Sequence, residues 1–248
     1  MKKILLPLLF LISTFSFSQS TTSSGNGGLF KKAGGLLNKN KGNSSGLSSD
    51  EIISGLKEAL SVGAQNSSGK LSAADGFFAN AAIKVLMPEE AKKAESTLRN
   101  LGMGSMVDKA ILSMNRAAEE ASKSAAPIFI TAIKEMSFQD AFGILKGNDT
   151  AATSYLKGKT FINLTNAFKP VIDEALKKTD ATKYWKDVFE TYNKLPTTFK
   201  KVNTDLSGYV TDKALSGLFY QVALEEQKIR KDPAARVTDV LKKVFGDK

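Results

Sequence analysis

The chain has 248 residues, 42% of them hydrophobic, and neither cysteine nor histidine. A core of ordinary size is affordable at that length, while disulfides, Cys and His ligands for structural zinc or iron–sulfur groups, and a Ser-His-Asp triad are excluded. The formal charge is +10, but two lysines fall within residues 1–18 and four more (Lys31, Lys32, Lys39, Lys41) lie in an acid-free stretch ending at Ser49, and only four basic residues in the chain are arginine; a nucleic-acid partner, which would call for a basic face on the folded domain, is therefore not expected.

Residues 1–18, MKKILLPLLFLISTFSFS, begin with two lysines, continue as an apolar run to about Phe17, and end with Ser16 and Ser18 at the spacing a signal peptidase accepts. They read as a signal peptide cleaved before Gln19, which makes the mature protein an exported, secreted one and the bacterial periplasm its expected compartment. Residues 19–49 are rich in Ser, Gly and Asn, the composition of a flexible linker. Within them Leu29, Phe30, Leu36 and Leu37 alternate at helical spacing with Lys31 and Lys32, a pattern capable of weak contact with an anionic membrane surface, although Gly34 and Gly35 oppose a helix.

From residue 50 to 248 the periodicity is helical and no sustained alternating strand pattern occurs. The reading is an all-α, single-domain bundle of eight or nine helices. Ser49 is expected to cap a first helix bearing Ile52, Ile53, Leu56, Ala59 and Leu60; a loop around SSGKLSAADGFFAN follows, with Asp75-Gly76 as its turn and Phe77-Phe78 as anchors. Pro88 opens a helix with Glu89 and Glu90 in its first turn and Gly102 at its end. A further helix starts near Gly104, carries the stripe Val107, Ala110, Ile111, Met114, Ala118, Ala121 and Ala125, and is kinked or broken by Pro127. Ser137 and Asp140 form an acidic capping box, with Gly147 as the stop. Asp149 or Thr150 caps the next helix, which Pro170 interrupts or restarts. Trp185, Val188, Phe189 and Tyr192 mark another, Leu206 to Lys231 a long one, and Asp232-Pro233 a short terminal one.

The order of segments ADGFF, MPEEAKKAESTLRNLGMG, LSMNRAAEEA, PIFITAIKEM, DAFGILKGNDTAATSYLKGKT and YVTDKALSGLFYQVALEEQKIRKDPAARVTDVLKKVFG resembles the bacterial domain-of-unknown-function family 4197 (DUF4197) over about residues 51–246. The resemblance implies an exported helical protein and brings no catalytic residues with it.

Two Arg-Glu clusters stand out. Asn115, Arg116, Glu119 and Glu120 form one; Glu225, Glu226 and Arg230 form the other. Counting Leu215, Leu218, Val222, Glu225 and Ile229 by threes and fours places Glu225 on the apolar stripe, where a carboxylate needs a partner or a proton. Glu226 and Arg230 have ion-pair spacing. Glu119 and Glu225 are the only candidates for catalytic carboxylates, as in cleavage of envelope glycan; the competing reading is a salt-bridge network that sets how helices pack. The small-residue helices and the methionine-bearing stripe suit a partner, either a protein or an apolar ligand between helices, and equally suit a core. No cofactor and no metal site is expected: no acidic loop has calcium spacing. Thr150 at the start of its helix is read as a plain cap rather than an anion site.

Overall fold

The structure is a computed structural model that describes residues 48–179, 181–194, 201, 204–232 and 242. The expected signal peptide, the linker with its amphipathic stretch, and the short helix after Asp232 lie outside those residues, as do the side chains of Val188 and Tyr192. The described residues form eight α-helices and one 3₁₀ turn, with no strand among them: α1 (Ser49–Ser72), the 3₁₀ turn (Glu89–Ala91), α2 (Lys92–Asn100), α3 (Gly104–Ser122), α4 (Ala125–Lys134), α5 (Phe138–Lys146), α6 (Ala151–Lys177), α7 (Ala181–Lys194) and α8 (Leu206–Lys231). The all-α reading holds.

Four of these helices form the centre of the core, to which α4, α5 and α7 add buried side chains. The long α6 and α8 pack on each other, α3 lies against both, and α1 lies against α3 and α8. Ala117, Ala118 and Ala121 of α3 are wholly buried, and the lack of bulk at these positions lets α3 approach its three neighbours closely. Phe129 of α4 meets Phe219 of α8 edge to face, with ring centroids 5.9 Å apart.

Local signals account for most helix ends. Ser48, rather than Ser49, caps α1, because Glu51 stands three residues on and the two exchange bonds: Ser48 Oγ accepts from Glu51 N–H and the Glu51 carboxylate accepts from Ser48 N–H. Ser137 and Asp140 form the same box on α5 as expected, and Gly147 ends it. At the end of α2, Gly102 has φ +81°, and Gly102 N–H and Met103 N–H donate to the carbonyls of Arg99 and Leu98, a Schellman closure.

Three boundaries differ from expectation. First, α1 continues through the predicted loop SSGKLS to Ser72, because Ser67, Ser68 and Leu71 are all buried on its inner face. Second, the break before α4 comes at Lys123-Ser124, not at Pro127. A proline ring clashes with the carbonyl four residues earlier, here Lys123, and in the first turn of α4 its missing N–H costs nothing. Third, α6 runs unbroken through Pro170. Its buried residues recur every fourth position, Leu156, Thr160, Leu164, Phe168, Ile172 and Leu176. Burying Phe168 and Ile172 on either side, at about 1.5–3 kcal/mol each, outweighs the roughly 3 kcal/mol a proline costs inside a helix.

The turn after α1 positions the first polar cluster. Its left-handed residue is Asp75, φ +66°, whereas Gly76 is needed for space: a Cβ there would lie 2.5 Å from the Lys70 carbonyl oxygen and 2.6 Å from that of Leu71. Phe77 then drops into the core and meets α8 at Gly217, where a Cβ would come within 2.6 Å of the ring. Phe78 stays half-exposed under the Lys84 ammonium, 3.8 Å from the ring centroid.

Candidate functional site

Glu119 is buried, and both its oxygens are occupied. Oε1 accepts from the N–H groups of Phe77 and Phe78 at 3.1 and 3.2 Å, and Oε2 from Arg116 at 2.6 Å. Arg116 uses its other arm on Asp75 at 2.7 Å, so the guanidinium clamps the turn to α3. Hydrogen bonds to Glu119 and then Asp75 push the Arg116 pKa further up. One turn earlier Asn115, fully buried, holds the extended stretch before Pro88: its side-chain oxygen accepts from Val85 N–H at 2.8 Å and its amide donates to the Val85 carbonyl at 2.8 Å. Glu120 faces outward and pairs with Lys123.

On α8 the buried carboxylate is Glu226, which corrects the stripe count. The apolar face steps from Val222 by four, not three, so Glu226 is 6% exposed while Glu225 is half-buried. Glu226 accepts from the N–H groups of Ala152 and Thr153 at 3.0 and 2.8 Å and from the Thr153 hydroxyl at 2.8 Å, and its Oε1 also takes Arg230 at 2.9 Å. It therefore caps α6 from another helix. Thr150 stands at the cap position but makes no side-chain capping bond, and Asp149 pairs with Lys231. The N-terminus of α6 does hold an anion, and that anion is the protein's own. Arg230 reaches on to the Ile144 carbonyl in the last turn of α5 at 2.8 Å.

Glu225 instead lies over α1, 3.5 Å from the Asn66 amide and 3.4 Å from that of Gln221. Glu119 and Glu225 thus have separate partners, Glu119 on the turn after α1 and Glu225 on Asn66 and Gln221. The two Arg-Glu clusters likewise sit at different places, one binding the turn after α1 and the other the start of α6.

Among the described residues a concave feature with an apolar lining is a cleft of about 360 Å³ bounded by Met87, the 3₁₀ turn, α2, α3, α7 and the start of α8. Met87, Met106, Met114, Trp185, Phe189 and Leu206 are the large apolar side chains of its wall, with Leu98, Val107 and three alanines between them. Trp185 and Phe189 stand one turn apart on α7 with ring centroids 4.6 Å apart, and Tyr209 stacks beyond Trp185 at 6.4 Å and 14°. The Tyr209 hydroxyl donates to the Leu86 carbonyl at 2.8 Å, fixing the strand of chain that carries Met87. Burial, with Glu90 and Glu89 nearby, pushes this phenol up to about 12. The polar groups at the cleft are few: Glu95, Lys109, Ser105, Ser113 and Thr179.

In the sequence Trp185 and Phe189 only mark a helix, Met114 sits on a stripe that suits an apolar ligand and a core equally, and Lys109 and Ser113 carry no signal of their own. The available signal was the unusual company of a methionine stripe on α3 with an aromatic pair four residues apart on α7. Among the described residues no group of three or more acidic side chains could hold a metal ion, and no helix is long and apolar enough to cross a membrane.

The family model described as "Protein of unknown function (DUF4197)" matches residues 46–246. No curated protein and no solved structure matches the chain.

Proposed function

The chain belongs to the DUF4197 family, whose description assigns no activity, and from the shape and lining of the cleft we propose that it is a non-enzymatic binding protein that holds an apolar ligand between α2, α3 and α7. The observation that carries this reading is the cleft itself. Its volume of about 360 Å³ lies within the roughly 300–1,000 Å³ typical of small-molecule sites, and its mix of apolar wall with a few polar groups is the usual one for such sites. Three methionines give that wall an adaptable surface. Water gains little there, because most of the lining offers it no hydrogen bond.

The buried carboxylates support binding over catalysis. Glu119 and Glu226 are each committed to peptide N–H groups and an arginine, which is the work of helix and turn termination. The amino-terminal pattern of residues 1–18 supports placing this activity in the bacterial periplasm.

The uncharged probe N-phenyl-1-naphthylamine tests the reading. Trp185 is the chain's single tryptophan and lines the cleft, so its emission reports occupancy directly. Saturable binding that alters Trp185 emission is expected, together with its loss in Ala110→Phe, which fills the cleft from a half-exposed helical position. No saturable binding to the wild-type protein, or undiminished binding to a folded Ala110→Phe, would overturn it.

A further inference from the structure

Resting on the cleft reading above, we infer that the ligand is a single-chain amphiphile with an anionic head, and that Lys109 and Ser113 of α3 receive that head. Lys109 and Ser113 are four residues apart, so they share a face of α3, and both line the cleft. Lys109 is exposed and forms no ion pair among the described residues. The acidic groups nearby are already engaged: Arg99 donates to Glu95, which lines the cleft, at 3.0 Å and to Asp108 at 2.8 Å. A cation entering the cleft would have to compete with Arg99, whereas an anion meets an unclaimed ammonium.

Ser113 adds a second, independent mark. Several helical hydroxyls, among them those of Ser61, Ser67, Thr97, Ser122 and Thr160, turn back onto the carbonyl four residues earlier. Ser113 has no such bond and no other protein partner among the described residues, leaving its hydroxyl available in a mostly apolar lining. An ammonium and a hydroxyl on one helix face are the donors that a carboxylate or phosphate head requires. The chain of the ligand then runs over Met114, Trp185 and Phe189. A volume of about 360 Å³, near the lower end of the ~300–1,000 Å³ range, fits one acyl chain better than a two-chain lipid.

The experiment is displacement of N-phenyl-1-naphthylamine from the full chain by three ligands with the same twelve-carbon tail: dodecanoate and dodecyltrimethylammonium below their micelle-forming concentrations, and dodecanol below its solubility limit. Dodecanoate should displace the probe at a concentration about fivefold or more below dodecanol, and dodecyltrimethylammonium should be the weakest. Lys109→Gln should bring the dodecanoate-to-dodecanol ratio near unity, and Lys109→Arg should restore it. If all three ligands displace equally, or if the ratio survives in Lys109→Gln, the head-group inference is wrong while the cleft reading stands. If the probe binds and none of the three displaces it, the amphiphile is wrong; if the probe itself does not bind, the failure lies with the cleft.

Discussion

At the level of single residues, the adjacent Glu225 and Glu226 show how one helical position separates a surface group from a structural one. Glu226 terminates α6 and neutralises Arg230, whose side chain is only 9% exposed. Glu226→Gln keeps the shape but removes the charge from a helix N-terminus and from a buried guanidinium. A loss of about 3 kcal/mol is expected, because one partner of a buried pair is left behind. Glu225→Gln should move stability by less than about 0.5 kcal/mol, since its contacts at 3.4 and 3.5 Å are marginal hydrogen bonds at a half-buried site. Urea unfolding of the two variants side by side checks this, and a larger loss in Glu225→Gln would reverse the assignment.

At the level of elements, glycine carries opposite meanings on two helices. At Gly158 in α6 an added Cβ would meet nothing within 4 Å, so Gly158→Ala should stabilise by up to about 1 kcal/mol through helix propensity alone. Gly217 in α8 faces Phe77, and a Cβ would lie 2.6 Å from the ring and 3.3 Å from Ile83 Cβ. Gly217→Ala should therefore destabilise by about 1–3 kcal/mol despite the better propensity, because the ring is wholly buried and has no room to move. Thermal melts read both signs. Element ends follow a similar logic of place: Ser68 of α1 donates to the Ser122 carbonyl at the end of α3, and Lys57 of α1 donates to the Lys134 carbonyl at the end of α4. Neighbouring helices thus satisfy the terminal groups that each helix leaves open.

At the scale of the whole molecule, the same cross-bracing ties the cleft to the core. Tyr209 of α8 joins the two, stacking on Trp185 and donating to Leu86. Its folded pKa is raised to about 12 against about 10 for an unfolded tyrosine. The neutral phenol is the form the fold favours, so its contribution is complete below pH ~10 and is lost as pH rises through ~12. Tyr209→Phe should cost about 1 kcal/mol at neutral pH and flatten the alkaline decline between pH ~10 and ~12. Tyr155, also raised by burial, leaves some decline in the variant. Denaturant midpoints measured across that interval provide the check, and an unchanged alkaline slope would count against the role given to Tyr209.

The sequence by itself determined the elements whose causes are local. The capping box at Ser137 and Asp140, the glycine stop at Gly102 and the span of α8 need only residues within one or two turns, and the 3.6-residue period of apolar side chains specifies an all-α fold. Local signals also proposed Pro170 and the serine-rich end of α1 as breaks, and burial of the helix face overrode both. Tertiary structure alone decided which polar groups act. Glu226 meets α6 across 73 and 74 residues of chain, Glu119 meets Phe77 across 42, and Arg230 meets Ile144 across 86. No periodicity reports such partners, because a carboxylate's worth depends on which peptide N–H groups and guanidinium the fold brings to it in a place that water has left. The cleft has the same origin: Met87, Lys109, Ser113 and Trp185 share no motif, and only the packing of α2, α3 and α7 makes them one wall.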